Sequence, residues 1–154
     1  KEISGVLEPC NLELQYQLVL NSNLKWEENK VDKNQCKYIK KIVDLCKKNN
    51  INIVFTTVSI DPASISKDIE NYQQAHDYLA NMADKYGVSY YDFNLISYDV
   101  FNRTTDDFYD EEGHMYGKTA KVFTNIYGNV IKSAVDGTLN ESDYFKGAYN
   151  EVYG

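Results

Sequence analysis

Three stretches of the chain carry apolar residues at the spacing of amphipathic helices. They cover residues 32–48, 67–86 and 116–135. Asn49 and Asn50 follow the first stretch and Gly87 follows the second, and these residue types commonly end helices. The pattern therefore predicts three helices of ordinary length, separated by shorter segments.

Two β-branched, apolar runs lie between these helices, at residues 51–58 and 88–94. The first reads Ile-Asn-Ile-Val-Phe-Thr-Thr-Val, which is typical of a central strand in a parallel sheet with both faces covered. An order of helix, strand, loop, helix, strand, loop, helix predicts an α/β open sheet with right-handed crossovers. Residues 14–20 combine alternation with a short apolar run, so they are a further candidate strand.

The chain has 154 residues, which favours a single α/β domain or a fragment of one. We assign residues 31–136 to the α/β core, residues 1–30 to an excursion whose pairing is open, and residues 137–154 to an aromatic, turn-rich tail. Because the sequence starts at Lys1 rather than at a methionine, we expect that the N-terminal part of the fold can be missing from it.

The composition excludes several classes of partner. A net charge of −7 argues against nucleic acid, because phosphate backbones require clustered Lys and Arg. Cys10, Cys36 and Cys46 show no C-x-x-C spacing, so neither a zinc site nor a disulfide framework is indicated. No apolar run is long enough to span a membrane. Phosphate-binding glycine motifs are also missing, and the sequence predicts no cofactor and no metal.

The most promising chemistry lies around His114, just before the third predicted helix. Asp110 and Glu111 precede this histidine in a strongly acidic stretch. A nearby carboxylate fixes the tautomer of an imidazole and raises its basicity. Loops 59–66 and 95–113 both follow predicted strands, and ligands of open α/β sheets bind at that edge. The acidic stretch lacks the spacing of an EF-hand, so a base is favoured over a metal site.

No nucleophile for this base is visible. The sequence has neither G-x-S-x-G nor Gly-Asp-Ser, and Ser59, Ser64 and Ser66 have the setting of turn or helix-capping residues. The other histidine, His76, has the position of an exposed or boundary residue on the second helix.

The segments 38–58, 78–94 and 108–124 together resemble the C-terminal half of SGNH-type hydrolases and acyltransferases. The closest likeness is to the bacterial cell-envelope branch with the D-alanine transfer and polysaccharide O-acetylation proteins. The resemblance implies a three-layer open parallel sheet, which is also the layout of flavodoxin-like folds. It implies that His114 is the general base for a serine on an upstream Gly-x-Ser turn. That family places Asp-x-x-His in the final block.

The register leaves the orienting acid open, because Glu111 stands three residues before His114 and Asp110 stands four before it. The family's polar residue and glycine are replaced by Tyr116 and Thr119. The implied activity is that of a serine-dependent esterase or O-acyltransferase on an acylated carbohydrate or cell-wall polymer. Its nucleophile would lie outside this chain, in an N-terminal segment of the same protein. The implied location is extracellular or in the bacterial cell envelope. The alternative is a non-catalytic binding or scaffold module that retains the fold, which the missing nucleophile and the abundant tyrosines favour.

Overall fold

The structure, a computed structural model, describes residues 25–110 and 113–154. Its helices are α1 (Lys33–Lys48), α2 (Pro62–Ser66), α3 (Ile69–Tyr86), α4 (Gly117–Val135) and α5 (Asn150–Tyr153). Its strands are β1 (Val54–Thr57) and β2 (Ser89–Asp92), which pair in parallel. Single 3₁₀ turns occupy Glu28–Lys30, Phe93–Leu95, Thr105–Asp107 and Glu141–Asp143. The described part of the chain is therefore a mixed α/β structure with a two-stranded sheet.

The three predicted helices are present as α1, α3 and α4, and side chains define where they begin. Asp32 accepts a hydrogen bond from the Asn34 N–H at 2.7 Å, and Asp68 accepts one from the Asn71 N–H at 3.3 Å. These are N-caps, which satisfy N–H groups that the first helical turn leaves open. Gly87 ends α3 with φ +59°, as its sequence position indicates.

The strand predicted at residues 51–58 is shorter than expected. Asn50 has φ +55°, and the Ile51 N–H donates to the Cys46 carbonyl at 2.9 Å, so a Schellman turn ends α1 at these residues. Ile51 and Val58 are exposed, and the four residues of β1 are all half-buried. The observed strand is therefore limited to residues 54–57, and its side chains are half-buried rather than fully buried among the described residues.

The loop predicted at residues 59–66 contains the short helix α2. Asp61 caps it by accepting from the Ala63 N–H at 3.1 Å, and Pro62 occupies the first turn. Proline suits this position because its missing N–H would have no partner there. The second strand also ends early, because the Asp92 side chain accepts from the Asn94 N–H at 3.0 Å and starts a 3₁₀ turn.

Helices cover both faces of the sheet. Thr56 contacts Tyr127 of α4, with 3.4 Å between their hydroxyl oxygens. On the opposite face, Tyr90 of β2 lies against His76 of α3, with ring centroids 5.4 Å apart. α1 lies beside α3 on that second face, since the Tyr86 hydroxyl donates to the Cys36 carbonyl.

The core consists of two adjoining clusters. One joins β2 and the following turn to α4 through Tyr91, Phe93, Ile96, Phe101, Phe123 and Val130. The other joins α2 to the C-terminal residues through Ile65, Leu95 and Tyr149. Residues 144–146 also pair with residues 95–97, with the Ser97 N–H donating to the Tyr144 carbonyl at 2.8 Å. No described atom lies within 4 Å of a Cβ placed at Gly128 in α4, so no close contact requires glycine there.

No helix among the described residues is both long enough and apolar enough to cross a membrane.

Candidate active site

His114 lies where the two arms of a tight hairpin-like loop pair with each other. Phe108 and Met115 form an antiparallel bridge, and the Tyr109 N–H donates to the His114 carbonyl at 2.6 Å. The Gly113 N–H also donates to the Asp110 carbonyl at 3.5 Å. The two ends of the loop are therefore held together by backbone pairing, which fixes the spacing between Asp110 and His114.

Asp110 orients His114 through both of its carboxylate oxygens. Oδ2 lies 2.6 Å from the imidazole Nδ1, and Oδ1 accepts from the His114 backbone N–H at 3.2 Å. The Asp110 side chain is 18% exposed, whereas the His114 side chain is 69% exposed. A carboxylate at Nδ1 favours the tautomer that carries its proton there, and Nε2 is then the basic nitrogen. The structure thus brings Asp110 to His114; Glu111 lies outside the described residues.

Gly113 places this loop against the carboxyl end of β1. A Cβ at Gly113 would lie 2.9 Å from Cγ2 of Ile60 and 3.2 Å from the Ser59 carbonyl oxygen. Gly113 also has φ +98°, a conformation that residues with side chains rarely adopt. Both the backbone angle and the close approach therefore require glycine here.

We expect Gly113→Ala to displace the loop that carries Asp110 and His114. The variant should lose about 1–3 kcal/mol of unfolding free energy, because the added methyl group meets Ile60 and the positive φ becomes strained. Urea denaturation measures this loss. Gly128→Ala is the matched control, since nothing lies within 4 Å of the new Cβ. It should be stabilising by up to about 1 kcal/mol. Equal stability of the two variants would contradict the close packing of Gly113.

Asp107 connects the loop to the first turn of α4. Its Oδ1 accepts from the Thr119 hydroxyl at 2.7 Å, and its Oδ2 accepts from the Thr104 N–H at 2.9 Å. The hydrogen bond from Thr119, followed by that from Thr104, lowers the pKa of Asp107 below its ordinary value. The Asp107 carbonyl also accepts from the Tyr116 N–H at 3.0 Å. Asp107 therefore connects the loop to Thr104 on its N-terminal side and to Tyr116 and Thr119 on its C-terminal side.

We expect Asp107→Asn to destabilise the protein by about 1 kcal/mol at neutral pH, since it removes the charged carboxylate that accepts from Thr119 and Thr104. The folded-state pKa of Asp107 is depressed, so its contribution is present above the unfolded-state pKa of about 4. That contribution is lost as the pH falls through the folded-state pKa. Wild type and variant should therefore converge in stability in acid. Thermal unfolding at a series of pH values measures this, with exposed Asp106→Asn as the control. A constant difference down to strong acid would contradict the assignment.

A layer of buried polar side chains follows the carboxyl ends of both strands. Its members, each at most 9% exposed, are Ser59, Asp61 and Ser64 after β1 and Asp92 and Asn94 at the end of β2; Arg103 and Thr119 are also buried. Asn94 joins the two strand ends, because its Oδ1 accepts from the Ile60 N–H at 2.9 Å. The Ser59 hydroxyl is buried without a hydrogen-bond partner. Polar chemistry is therefore concentrated at the edge predicted from strand order.

A second His–Asp pair lies in this layer. His76 Nδ1 is 2.9 Å from Asp92 Oδ2, and the Tyr149 hydroxyl donates to the same oxygen at 2.8 Å. The Asp92 side chain is 2% exposed and that of His76 is 17% exposed. Burial, followed by the Asp92 charge, raises the pKa of Tyr149 and that of Tyr90 above their ordinary values. Both phenols therefore keep their protons at neutral pH.

The half-buried position of His76 on α3 agrees with its expected place between the buried and the exposed face of the helix, but its pairing with Asp92 was not predicted. Asp92 lies near the carboxyl end of the strand predicted at residues 88–94 and ends the observed strand β2, so the strand-order rule applied to loops 59–66 and 95–113 applies equally to it. The position of Asp92 near the end of a strand was therefore the sequence signal that could have identified it as a candidate site residue.

Arg103 binds the C-terminal helix to this layer. It is 1% exposed and donates to the Asn94 carbonyl at 2.9 Å and to the Tyr153 hydroxyl at 2.7 Å. Burial raises the pKa of Tyr153 to about 12, although the charge of Arg103 acts in the opposite direction. These contacts hold α5 against the turn that follows β2, with Arg103 buried and Tyr153 half-buried.

Within residues 25–110 and 113–154, no three side chains of His, Cys, Asp or Glu come together as a metal site. Comparison with models of known families, with curated proteins and with solved structures finds no match to this chain.

Proposed function

We propose that the chain carries the base and the orienting acid of a serine-dependent esterase or O-acyltransferase. The observation that carries this proposal is the 2.6 Å contact of Asp110 with His114 Nδ1, combined with the high exposure of the imidazole. An oriented and accessible imidazole is what nucleophilic acyl transfer requires from its base. The proposed nucleophile is a serine from a segment of the protein outside this chain.

The arrangement supports a two-step reaction. Nε2 of His114 removes the proton of the serine hydroxyl while the serine oxygen attacks the ester carbonyl. Asp110 holds the Nδ1 proton and stabilises the imidazolium that forms. The imidazolium then gives its proton to the departing alkoxide, which leaves as an alcohol and the acyl–serine ester remains. Water completes a hydrolase cycle, and a second hydroxyl group completes a transferase cycle.

The proposal includes a larger sheet than the two strands described. It places β1 and β2 in a three-layer, SGNH-type open sheet, and the helices on both faces support this. The proposed substrate is an acylated carbohydrate or cell-wall polymer, and the proposed location is the bacterial cell envelope or its exterior. These two assignments rest on the resemblance of segments 38–58, 78–94 and 108–124.

A fluorophosphonate probe tests the chemistry on the complete protein that contains this chain. We expect labelling of one serine, and we expect His114→Ala to slow it by about 100-fold or more. Lys118→Ala, an exposed change four residues away, is the control and should label normally. Labelling that is indifferent to His114 would overturn the proposed role of the base.

A binding or scaffold module is the second candidate. Ser59 is fully buried and Ser64 is 9% exposed, so neither hydroxyl at the end of β1 is accessible to a substrate. Failure of the wild-type protein to react with the probe would favour this candidate.

A further inference from the structure

The two arms that meet at His114 pair in antiparallel register. The Tyr109 N–H donates to the His114 carbonyl, and the Tyr116 N–H donates to the Asp107 carbonyl. Tyr109 is therefore opposite His114, and opposite residues of an antiparallel pair project from the same face. Tyr116 follows His114 by two residues, so it projects from that face too. The side chains of Tyr109, His114 and Tyr116 thus share one face of the paired arms.

The burial of the alternating residues identifies this face as the outer one. Phe108 and Met115 form the bridge between the arms and project from the other face. Phe108 is 2% exposed, and Met115 packs against the first core cluster. On the outer face the imidazole of His114 is exposed, Tyr116 is 42% exposed and Tyr109 is half-buried. The proposed base therefore lies on a solvent-facing surface beside two tyrosines.

The two tyrosine rings form a corner. Their centroids are 6.1 Å apart and their planes are at 84°, which is an edge-to-face arrangement. Aromatic pairs favour this geometry, so each ring supports the orientation of the other. At about 3.3 Å per residue, Tyr116 lies about 7 Å along the arm from His114. A ligand ring stacked on Tyr116 would therefore bring its substituents within reach of the imidazole.

The chemistry of this corner favours an uncharged sugar. A tyrosine offers an apolar ring, which can cover the C–H face of a pyranose, and a hydroxyl group that can pair with sugar hydroxyls. The preceding loop carries Asp106, Asp107 and Asp110, and these carboxylates repel a polyanionic ligand. Both features match a neutral saccharide better than a negatively charged polymer.

We propose that Tyr109 and Tyr116 form a saccharide subsite, in which an uncharged hexose ring stacks on Tyr116 beside His114. The subsite deepens the proposed function and rests on it, since the ester that reacts would lie on this sugar. Tyr116 occupies the position of a polar residue in the resembled family, so the resemblance does not imply the subsite. Removing either ring should weaken saccharide binding without impairing the removal of the serine proton by His114.

Isothermal titration calorimetry on the complete protein tests the subsite. The ligands are O-acetylated tetrasaccharides of glucose, mannose and N-acetylglucosamine, and a His114→Ala background prevents their turnover. We expect at least one to bind, and we expect Tyr116→Ala to weaken its binding by about tenfold or more, whereas Tyr116→Phe should bind within about threefold of the background protein. Tyr38→Ala removes a tyrosine that is 61% exposed on α1, so it is the matched control and should leave binding unchanged.

Tyr109→Ala is a second variant for the same titration, and thermal unfolding monitors the fold of both. It should weaken the same tetrasaccharide, because it removes the other ring of the corner. If none of the tetrasaccharides binds, or if Tyr116→Ala and Tyr109→Ala both bind as tightly as Tyr38→Ala, the proposal is overturned.

Serine labelling separates this proposal from the proposed function. With His114 intact, Tyr116→Ala should react with a small fluorophosphonate within about twofold of wild type, whereas the KM for the bound tetrasaccharide should rise about tenfold. Tyrosine-dependent binding in a protein that the probe does not label would support the subsite and reject the esterase. Labelling that depends on His114, together with binding that is indifferent to both tyrosines, would reject the subsite alone.

Discussion

Replacing Asp110 by asparagine is expected to slow serine labelling by about 100- to 10,000-fold in the complete protein. The amide keeps the size of the side chain, but it offers Nδ1 no carboxylate. The imidazole then loses the partner that holds its proton on Nδ1, and the fraction with a basic Nε2 falls. The proposed imidazolium also loses its negative neighbour. The rate of covalent labelling by a fluorophosphonate measures the effect, and thermal unfolding monitors the fold.

The loop offers two comparisons for this variant. Asp106→Asn removes an exposed charge four residues earlier, so it controls for the general electrostatic field. Glu111→Gln examines the acid that the Asp-x-x-His register places three residues before His114. A larger effect at Glu111 than at Asp110 would contradict the orientation observed between Asp110 and His114. Since Asp110 lies in a surface loop, its replacement should change stability by less than about 1 kcal/mol.

Local signals in the sequence predicted the helices well, because their ends depend on neighbouring residues. Asp32 and Asp68 cap through N–H groups two and three residues away. Strand length was predicted less well. The turn at Asn50 uses the Ile51 N–H in a hydrogen bond to the Cys46 carbonyl. Ile51 is therefore not part of the strand, although isoleucine has a high β-propensity. The extent of the sheet is equally non-local, because pairing requires partners that the strand's own sequence does not specify.

The two His–Asp pairs show the same difference between local and non-local contacts. Asp110 and His114 are four residues apart, so the sequence indicates an acid beside His114, although it leaves Asp110 and Glu111 as alternatives. His76, Asp92 and Tyr149 are separated by 16 and 57 residues, and only the folded chain unites them. Periodicity places His76 beside the apolar stripe of α3 but does not identify its partner. Tyrosine abundance in the C-terminal segment likewise does not reveal that Tyr149 contacts the end of β2.

We expect Asp92→Ala to cause the largest loss of stability of any change described, about 3 kcal/mol or more. The alanine would leave His76 Nδ1, the Tyr149 hydroxyl and the Asn94 N–H without their acceptor, in a site that is nearly closed to water. Each buried polar group without a partner costs about 1–3 kcal/mol. Urea denaturation measures the loss. Asp77→Ala, an exposed carboxylate on α3 that accepts from Gln73, is the control, with an expected change below about 0.5 kcal/mol.

Tyr149→Phe provides a milder variant in case Asp92→Ala does not fold. It removes one hydroxyl from the same oxygen of Asp92 and should cost about 1–2 kcal/mol. The raised pKa of Tyr149 keeps this phenol a donor, so the loss should be constant across the neutral range. Variants of the buried pair should lower stability, whereas Asp110→Asn should lower reactivity with little change in stability. If Asp92→Ala instead left the unfolding curve unchanged, the buried cluster would not be what holds the C-terminal segment on the sheet.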